Sequence, residues 1–138
     1  MTYEYQCPHC HKILNPNKRV ILLAIFGELR GLVLMSSQLG DYQLICDKGF
    51  CSTVQAGDKV DFHCPVCTKS LTSETMEHFS ELVMIDTDKP EKDPARIRFS
   101  RICDEQATFI YDGDSVQEYG KEARTFHDLM KTDENWGW

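Results

Sequence analysis

The residues best suited to chemistry in this chain are cysteines in two similar short segments. The first segment reads Tyr5-Gln-Cys-Pro-His-Cys-His-Lys-Ile-Leu14, and the second reads Phe62-His-Cys-Pro-Val-Cys-Thr-Lys-Ser-Leu71. Aligned without a gap, they share Cys, Pro, Cys, Lys and Leu, and both begin with an aromatic residue. We call the two Cys-Pro-x-Cys turns the first and the second knuckle. Each knuckle can direct two sulfur atoms at one ion.

Two knuckles together supply four thiolates, which complete the tetrahedral set of a structural zinc site. The sequence therefore predicts one structural Zn²⁺ per chain, held by Cys7, Cys10, Cys64 and Cys67. The paired knuckles resemble the broad zinc-ribbon class over two ten-residue segments. A compact ribbon separates its knuckles by roughly 15–20 residues, whereas 53 residues separate them here. The resemblance implies a metal site and assigns no function.

Three other chemistries compete with structural zinc. The knuckles are also similar to those of rubredoxins, which bind iron, but those sites typically have Gly where this chain has His11 and Thr68. The first knuckle is similar to the active-site motif of periplasmic disulfide oxidoreductases of the thioredoxin superfamily, whose second cysteine lies on a helix. Pro16 interrupts such a helix here. A catalytic zinc keeps an open position, whereas four cysteines fill it. These comparisons favour a closed, structural ion.

Other possible ligands lie near the knuckles or between them. The histidines beside the knuckles are His9, His11 and His63. We expect them to face solvent and not to bind the metal. The remaining cysteines are Cys46, Cys51 and Cys103. Cys46 continues an apolar run, which favours a buried free thiol, and a second metal site built from these three cysteines and a histidine is the alternative.

Composition restricts the classes of function. The chain has 138 residues, 41% of them hydrophobic, which suits a folded globular protein. It has no recognisable signal peptide and no run of roughly 18 apolar residues. With seven cysteines, an odd number, we expect a cytoplasmic protein with a metal site and no membrane partner. The net charge of −7 comes entirely from residues 64–138, with nine basic and sixteen acidic side chains, which weighs against a nucleic-acid partner.

The fold predicted from the pattern is mostly β, a small α+β protein. Residues 19–26 form a continuous apolar run, which predicts a strand buried on both faces. Further strands are predicted over residues 31–37, 42–46 and 51–55. A second set is predicted around residues 82–85, 95–102, 108–111 and 115–118. Residues 72–79 have the cap-like residues of one or two helical turns.

The strands predict two similar halves that share the metal site. Residues 1–61 hold the first knuckle and a β-meander, and residues 62–120 hold the second knuckle and a β-meander, in one compact unit. Several residue pairs recur 64 positions apart: Val33 with Ile97, Met35 with Phe99, and Gly49 with Gly113. The knuckles are 57 positions apart, so the second half has seven extra residues. This pattern favours an internal duplication, with the extra residues placed in the loop 86–94.

Residues 121–138 break the repeat. A short amphipathic helix is predicted over residues 121–131, and both tryptophans of the protein, Trp136 and Trp138, lie in the acidic segment after it. Tryptophan is a frequent interface anchor, so we expect these two residues to bind a protein partner or a second copy of the chain.

The sequence contains no recognisable catalytic triad, paired-carboxylate site or phosphate-binding glycine loop. We therefore expect a zinc-stabilised protein-interaction or assembly module rather than an enzyme. Two alternatives remain at this point. One is a nucleic-acid-associated zinc ribbon, such as a transcription or translation accessory factor, for which Arg96, Arg98 and Arg101 would be the candidate phosphate contacts. The other is a thiol redox or metal-handling protein.

Overall fold

A computed structural model describes residues 3–113 and 115–132 of the chain. Within these ranges there are nine strands: β1 (Tyr3–Gln6), β2 (Arg19–Phe26), β3 (Leu29–Ser36), β4 (Leu44–Cys46), β5 (Asp61–His63), β6 (Phe79–Asp86), β7 (Ala95–Ser100), β8 (Thr108–Asp112) and β9 (Ser115–Tyr119). Helix α1 (Lys48–Thr53) lies between β4 and β5, and a 3₁₀ turn (Ala123–Phe126) leads into helix α2 (His127–Thr132). The prediction of a mostly β protein with a short C-terminal helix is confirmed.

The strands form two antiparallel sheets. The five-stranded sheet has the order β1-β6-β7-β8-β9, and the four-stranded sheet has the order β4-β3-β2-β5. The inner faces of both sheets contribute to one hydrophobic core, in which Leu22 and Val33 from one sheet join Leu82 and Ile97 from the other. Burying these alternate side chains between two sheets is the arrangement of a β-sandwich. The two halves of the chain therefore form one core.

Each half gives the strand before its knuckle to the sheet of the other half. β1, which precedes the first knuckle, pairs with β6, and β5, which precedes the second knuckle, pairs with β2. β5 itself crosses the predicted boundary between residues 61 and 62. The backbone hydrogen bonds of each sheet thus join residues from both halves, and neither sheet is complete without the other half of the chain.

Equivalent residues of the two halves pair in the same way as far as β4 in the first half and β8 in the second. Val33 pairs with Leu22 and Cys46, and its counterpart Ile97 pairs with Leu82 and Ile110. Beyond these strands the correspondence ends, because β4 leads into helix α1 whereas β8 turns directly into β9. The predicted equivalence of Gly49 and Gly113 therefore has no structural counterpart. The duplication itself stays a prediction.

The seven extra residues of the second half occupy two places. The amide of Ile21 donates to Leu14 in the first half, and the amide of Glu81 donates to Leu71 in the second, so three extra residues precede β6. The remaining four lie in the β6–β7 loop, since β2 and β3 are joined by only two residues, 27 and 28. The prediction that all seven lie in the loop 86–94 is therefore wrong for three of them, which lie before β6.

Three local predictions were also wrong. Residues 51–55 do not form a strand, because Asp47 caps helix α1 by accepting from the amides of Gly49 and Phe50. Residues 72–79 form no helix: Thr72 makes a β-bridge to Ser80, and the hydrogen-bonded turn from Met76 to Phe79 is not continued. Strand β2 is fully buried on one face only, with its other face half-buried to exposed. A continuous apolar run does not by itself distinguish these two kinds of strand.

The 3₁₀ turn and helix α2 cover the outer face of the five-stranded sheet. Ala123 and Met130 are buried against Phe79 and Phe109, whose rings make an edge-to-face contact at 5.9 Å. Leu129, the residue before Met130, is 54% exposed. The residues predicted to bind a partner, Trp136 and Trp138, lie outside the described residues. No helix in the described ranges has the length and apolar character needed to cross a membrane.

Candidate metal centre

The structure brings the four knuckle cysteines to one point. Their sulfur atoms all lie within 4.8 Å of one another, and they form the one group of metal-binding geometry among the described residues. The Sγ atoms of Cys7 and Cys67 are 3.7 Å apart, as are those of Cys10 and Cys64. Sulfurs placed tetrahedrally at 2.3 Å from zinc would be about 3.8 Å apart. The four thiols can therefore hold a metal ion, and each half supplies two of them.

The two knuckles have the same backbone geometry. In the first, the amides of His9 and Cys10 donate to the sulfur of Cys7 at 3.3 and 3.5 Å. In the second, the amides of Val66 and Cys67 donate to the sulfur of Cys64 at 3.3 and 3.4 Å. Such bonds stabilise a thiolate and orient it toward an ion. The turn conformation itself therefore prepares one buried sulfur in each half for metal binding.

Each knuckle ends in a left-handed residue. His11 has φ of 64° and Thr68 has φ of 65°, a conformation that is uncommon for residues other than glycine and strained for a β-branched side chain. These are the positions where the rubredoxin pattern has Gly. The absence of glycine at these positions is therefore no argument against iron, because the backbone adopts the glycine conformation with His11 and Thr68 in place. The preference for zinc over iron therefore rests on the closed set of four thiolates, which is typical of structural zinc sites.

The four thiols differ in their electrostatic surroundings. Burial raises the pKa of Cys7 to about 12 and also raises the pKa of Cys64. Cys67 lies nearer the surface, where a hydrogen bond from the backbone amide of Lys69 lowers its pKa to about 7. The buried thiols consequently keep their protons at neutral pH until a cation replaces them.

The histidines near the site are not ligands in this arrangement. Nε2–H of His9 donates to the carbonyl oxygen of Ser70 at 3.1 Å, which links the first knuckle to the second. Both ring nitrogens of His63 face oxygen acceptors, the carbonyl of Thr68 at 2.8 Å and a carboxylate oxygen of Asp61 at 2.9 Å. The metal-binding group contains cysteines only. His63 does not face solvent as expected, since its side chain is only 19% exposed.

Asp61 is a supporting residue that sequence reasoning missed. Its carboxylate accepts hydrogen bonds from His63, Ser70 and Thr72, and these bonds hold its pKa below the ordinary value although burial opposes the shift. It thereby ties β5 to the segment that follows the second knuckle. Asp61 lies just before the aromatic residue that begins the second segment, but nothing in the spacing of one acidic residue distinguishes this role from ordinary surface charge.

The cysteines outside the knuckles do not form a second metal site. Cys46 is bonded to Cys51 in a disulfide that joins β4 to helix α1, so the prediction of a free thiol at Cys46 was wrong. Cys103 is a free, half-buried thiol, and burial raises its pKa. The helix explains the disulfide, since α1 returns Cys51 toward the strand that carries Cys46, with a Cα–Cα distance of 5.9 Å.

The arginines proposed as phosphate contacts are engaged within the fold. Arg98 is 1% exposed and its Nε–H donates to Glu81 at 2.8 Å. Arg101 donates to the carbonyl oxygens of Val60 and Glu77. The nucleic-acid hypothesis therefore loses two of its three named contacts.

The fold and the site together define a mostly β chain with a four-cysteine metal-binding cluster shared by its two halves. Comparison with known protein families, with curated proteins and with solved structures finds no match for this chain.

Proposed function

We propose that the chain is a zinc-clamped protein-interaction module that assembles with itself through its C-terminal segment and catalyses no reaction. The observation that supports the clamp is the placement of the four thiols, two from each half, at tetrahedral spacing. Zinc is favoured because a closed set of four thiolates is typical of structural zinc sites. Cys7, Cys10, Cys64 and Cys67 leave no open position for a substrate, which is why we assign the ion no catalytic role.

The interaction role rests on the C-terminal segment. Helix α2 is anchored to the five-stranded sheet through Met130, so the segment that carries Trp136 and Trp138 starts from a fixed point on the surface. Two tryptophans and two acidic residues within six positions combine anchoring side chains with charge, a combination suited to an interface. The same clamp that joins the halves would keep this point rigid. We place the module in the cytoplasm because five of its seven cysteines are free thiols, four of them in the metal-binding group. The disulfide between Cys46 and Cys51 argues against this placement, since disulfides are rare in a reducing compartment.

Zinc affinity is expected to fall steeply as the pH is lowered. The pKa values of Cys7 and Cys64 are raised above the ordinary thiol value, so both groups are protonated at neutral pH. At least two protons must therefore leave when zinc binds. Each displaced proton makes the apparent affinity about tenfold weaker per unit decrease in pH, which predicts a loss of at least about 100-fold per unit near neutral pH. Competition with a chromophoric chelator of known pH dependence would measure the slope. A change below about tenfold per unit would contradict the expectation.

Removing residues 133–138 is expected to weaken self-assembly by at least about 30-fold. The melting temperature should stay the same when both chains are measured at concentrations where the unmodified chain is a monomer, since assembly itself raises apparent stability. The truncation leaves α2 and the four cysteines in place, so the zinc clamp and both sheets are retained. Native mass spectrometry over a concentration series would report the zinc content and the mass of the assembly together. The matched variant Trp136→Ala/Trp138→Ala should show the same loss. If both variants assemble as the unmodified chain does, the proposed function is wrong.

A further inference from the structure

The outer face of the four-stranded sheet is aliphatic, with side chains that range from half-buried to exposed. It is formed by six side chains that alternate with the buried ones along β2, β3 and β4: Ile21, Leu23, Ile25, Leu32, Leu34 and Ile45. We call this surface the aliphatic face. Leu32 is 55% exposed and Ile45 is 48% exposed. Contiguous apolar surfaces of this kind mark sites of interaction.

The side chains of the aliphatic face are neighbours across the strands. Leu32 pairs with Leu23, and Leu34 pairs with both Ile21 and Ile45. The apolar surface therefore runs continuously over three strands instead of being scattered. The outer face of the five-stranded sheet, by contrast, is covered by the chain's own 3₁₀ turn and α2 through Ala123 and Met130.

We propose that the aliphatic face binds the segment containing Trp136 and Trp138 of a second copy of this chain. The inference rests on the proposed function and identifies the surface that receives the C-terminal segment. Indole rings bury large apolar areas at modest entropic cost and pack well on aliphatic side chains. The face offers such a surface, with Leu32 near its centre.

The charges on the two surfaces are complementary. The aliphatic face carries exposed arginines near opposite ends of the strand pair: Arg19 on β2 and Arg30 on β3. Neither makes an ion pair with another described residue. The segment before the tryptophans is acidic, with Asp133 and Glu134. Opposite charges at the rim of an apolar contact favour the correct pairing and orientation.

Reach excludes occupation of the face by the same chain. Helix α2 lies on the outer side of the five-stranded sheet, and the aliphatic face lies on the far side of the other sheet. One helix layer and two stacked sheets separate the two surfaces by roughly 20 Å along a straight line. From Thr132, a fully extended chain brings Trp136 at most about 14 Å away and Trp138 at most about 21 Å away. The chain cannot pass through the core, and a path around a sheet edge adds roughly 10 Å to the straight line, so the segment must come from another copy.

This arrangement makes the contact heterologous, because donor and acceptor lie on opposite sides of one chain. Heterologous contacts add copies head to tail, and they form rings only if the rotation closes. The size of the assembly should therefore increase with concentration rather than stop at a dimer.

A mixing experiment tests the pairing directly. The donor chain carries Leu32→Asp, which damages the aliphatic face and keeps the C-terminal segment. The acceptor chain lacks residues 133–138 and keeps the face. Ile13→Asp serves as the matched control, since Ile13 is a 42% exposed aliphatic residue outside the face. Circular dichroism and zinc content verify that each variant folds before the masses are compared.

Neither the donor nor the acceptor should self-assemble alone, with affinities at least about tenfold weaker than that of the unmodified chain. Their mixture should give a one-to-one complex that grows no further, and Ile13→Asp should assemble normally. If truncation abolishes assembly and Leu32→Asp does not, the segment binds elsewhere: the inference fails and the proposed function stands. If Leu32→Asp abolishes assembly and truncation does not, the aliphatic faces pair with each other, and both fail. A chain that stays monomeric at all concentrations overturns both.

Discussion

A chain with both cysteines of the second knuckle replaced, Cys64→Ser/Cys67→Ser, is expected to be largely unfolded at 25 °C. Structural zinc contributes an apparent binding free energy of about 10–16 kcal/mol in small zinc-binding peptides. The whole stability of a domain is only about 5–15 kcal/mol. Because β1 and β5 each complete the sheet of the other half, loss of the clamp should weaken both sheets at once. The transition should therefore remain a single step.

Circular dichroism melts of the variant and of the unmodified chain, each with and without a strong chelator, would measure this effect. The chelator should reproduce the loss in the unmodified chain and change nothing further in the variant. Cys103→Ser is the matched control, since Cys103 is a free thiol outside the metal-binding group, and its melt should still respond to the chelator. Superimposable melts of the unmodified chain with and without chelator would show that the ion is not a clamp.

The metal centre could be predicted from sequence because its geometry is local. Two residues between the cysteines and a following left-handed residue determine each knuckle, and the structure forms the same turn twice. Only the meeting of Cys7 and Cys64 depends on the distant fold. The exchange of β1 and β5 could not be predicted in this way, because strand pairing is set by long-range packing that a single sequence does not reveal.

The misjudged elements have identifiable causes. Residues 51–55, Cys-Ser-Thr-Val-Gln, contain two β-branched side chains and suggest a strand, but the Asp47 cap and the disulfide at Cys51 favour a helix. The run from Arg19 to Phe26 predicts its strand bounds correctly and its burial wrongly. Its apolar outer residues, Ile21, Leu23 and Ile25, form half of the aliphatic face. The apolar run 19–26 looks like a core strand in the sequence, and for that reason its contribution to an exposed apolar surface could not be recognised there.

Replacing Glu81 with glutamine is expected to destabilise the fold by about 3 kcal/mol or more. The Arg98 side chain is 1% exposed, and its Nε lies 2.8 Å from the carboxylate of Glu81, which is itself 16% exposed. Glutamine preserves the shape but removes the negative charge that lies 2.8 Å from Arg98 and 3.7 Å from Arg96, so the buried guanidinium of Arg98 loses this ion pair. Removing one partner of a buried ion pair costs about 3–5 kcal/mol, far more than the pair contributes to stability.

Urea unfolding of zinc-loaded protein would measure the free-energy change, with the m value as a check that the transition is unaltered. Glu77→Gln is the matched control. The Glu77 side chain is 77% exposed, so its ion pair with Lys59 should contribute less than about 1 kcal/mol. The double variant Glu81→Leu/Arg98→Met should recover most of the loss, since it removes both charges from the interior. If Glu81→Gln destabilises no more than Glu77→Gln, the Glu81 carboxylate is not the group that compensates the buried charge of Arg98.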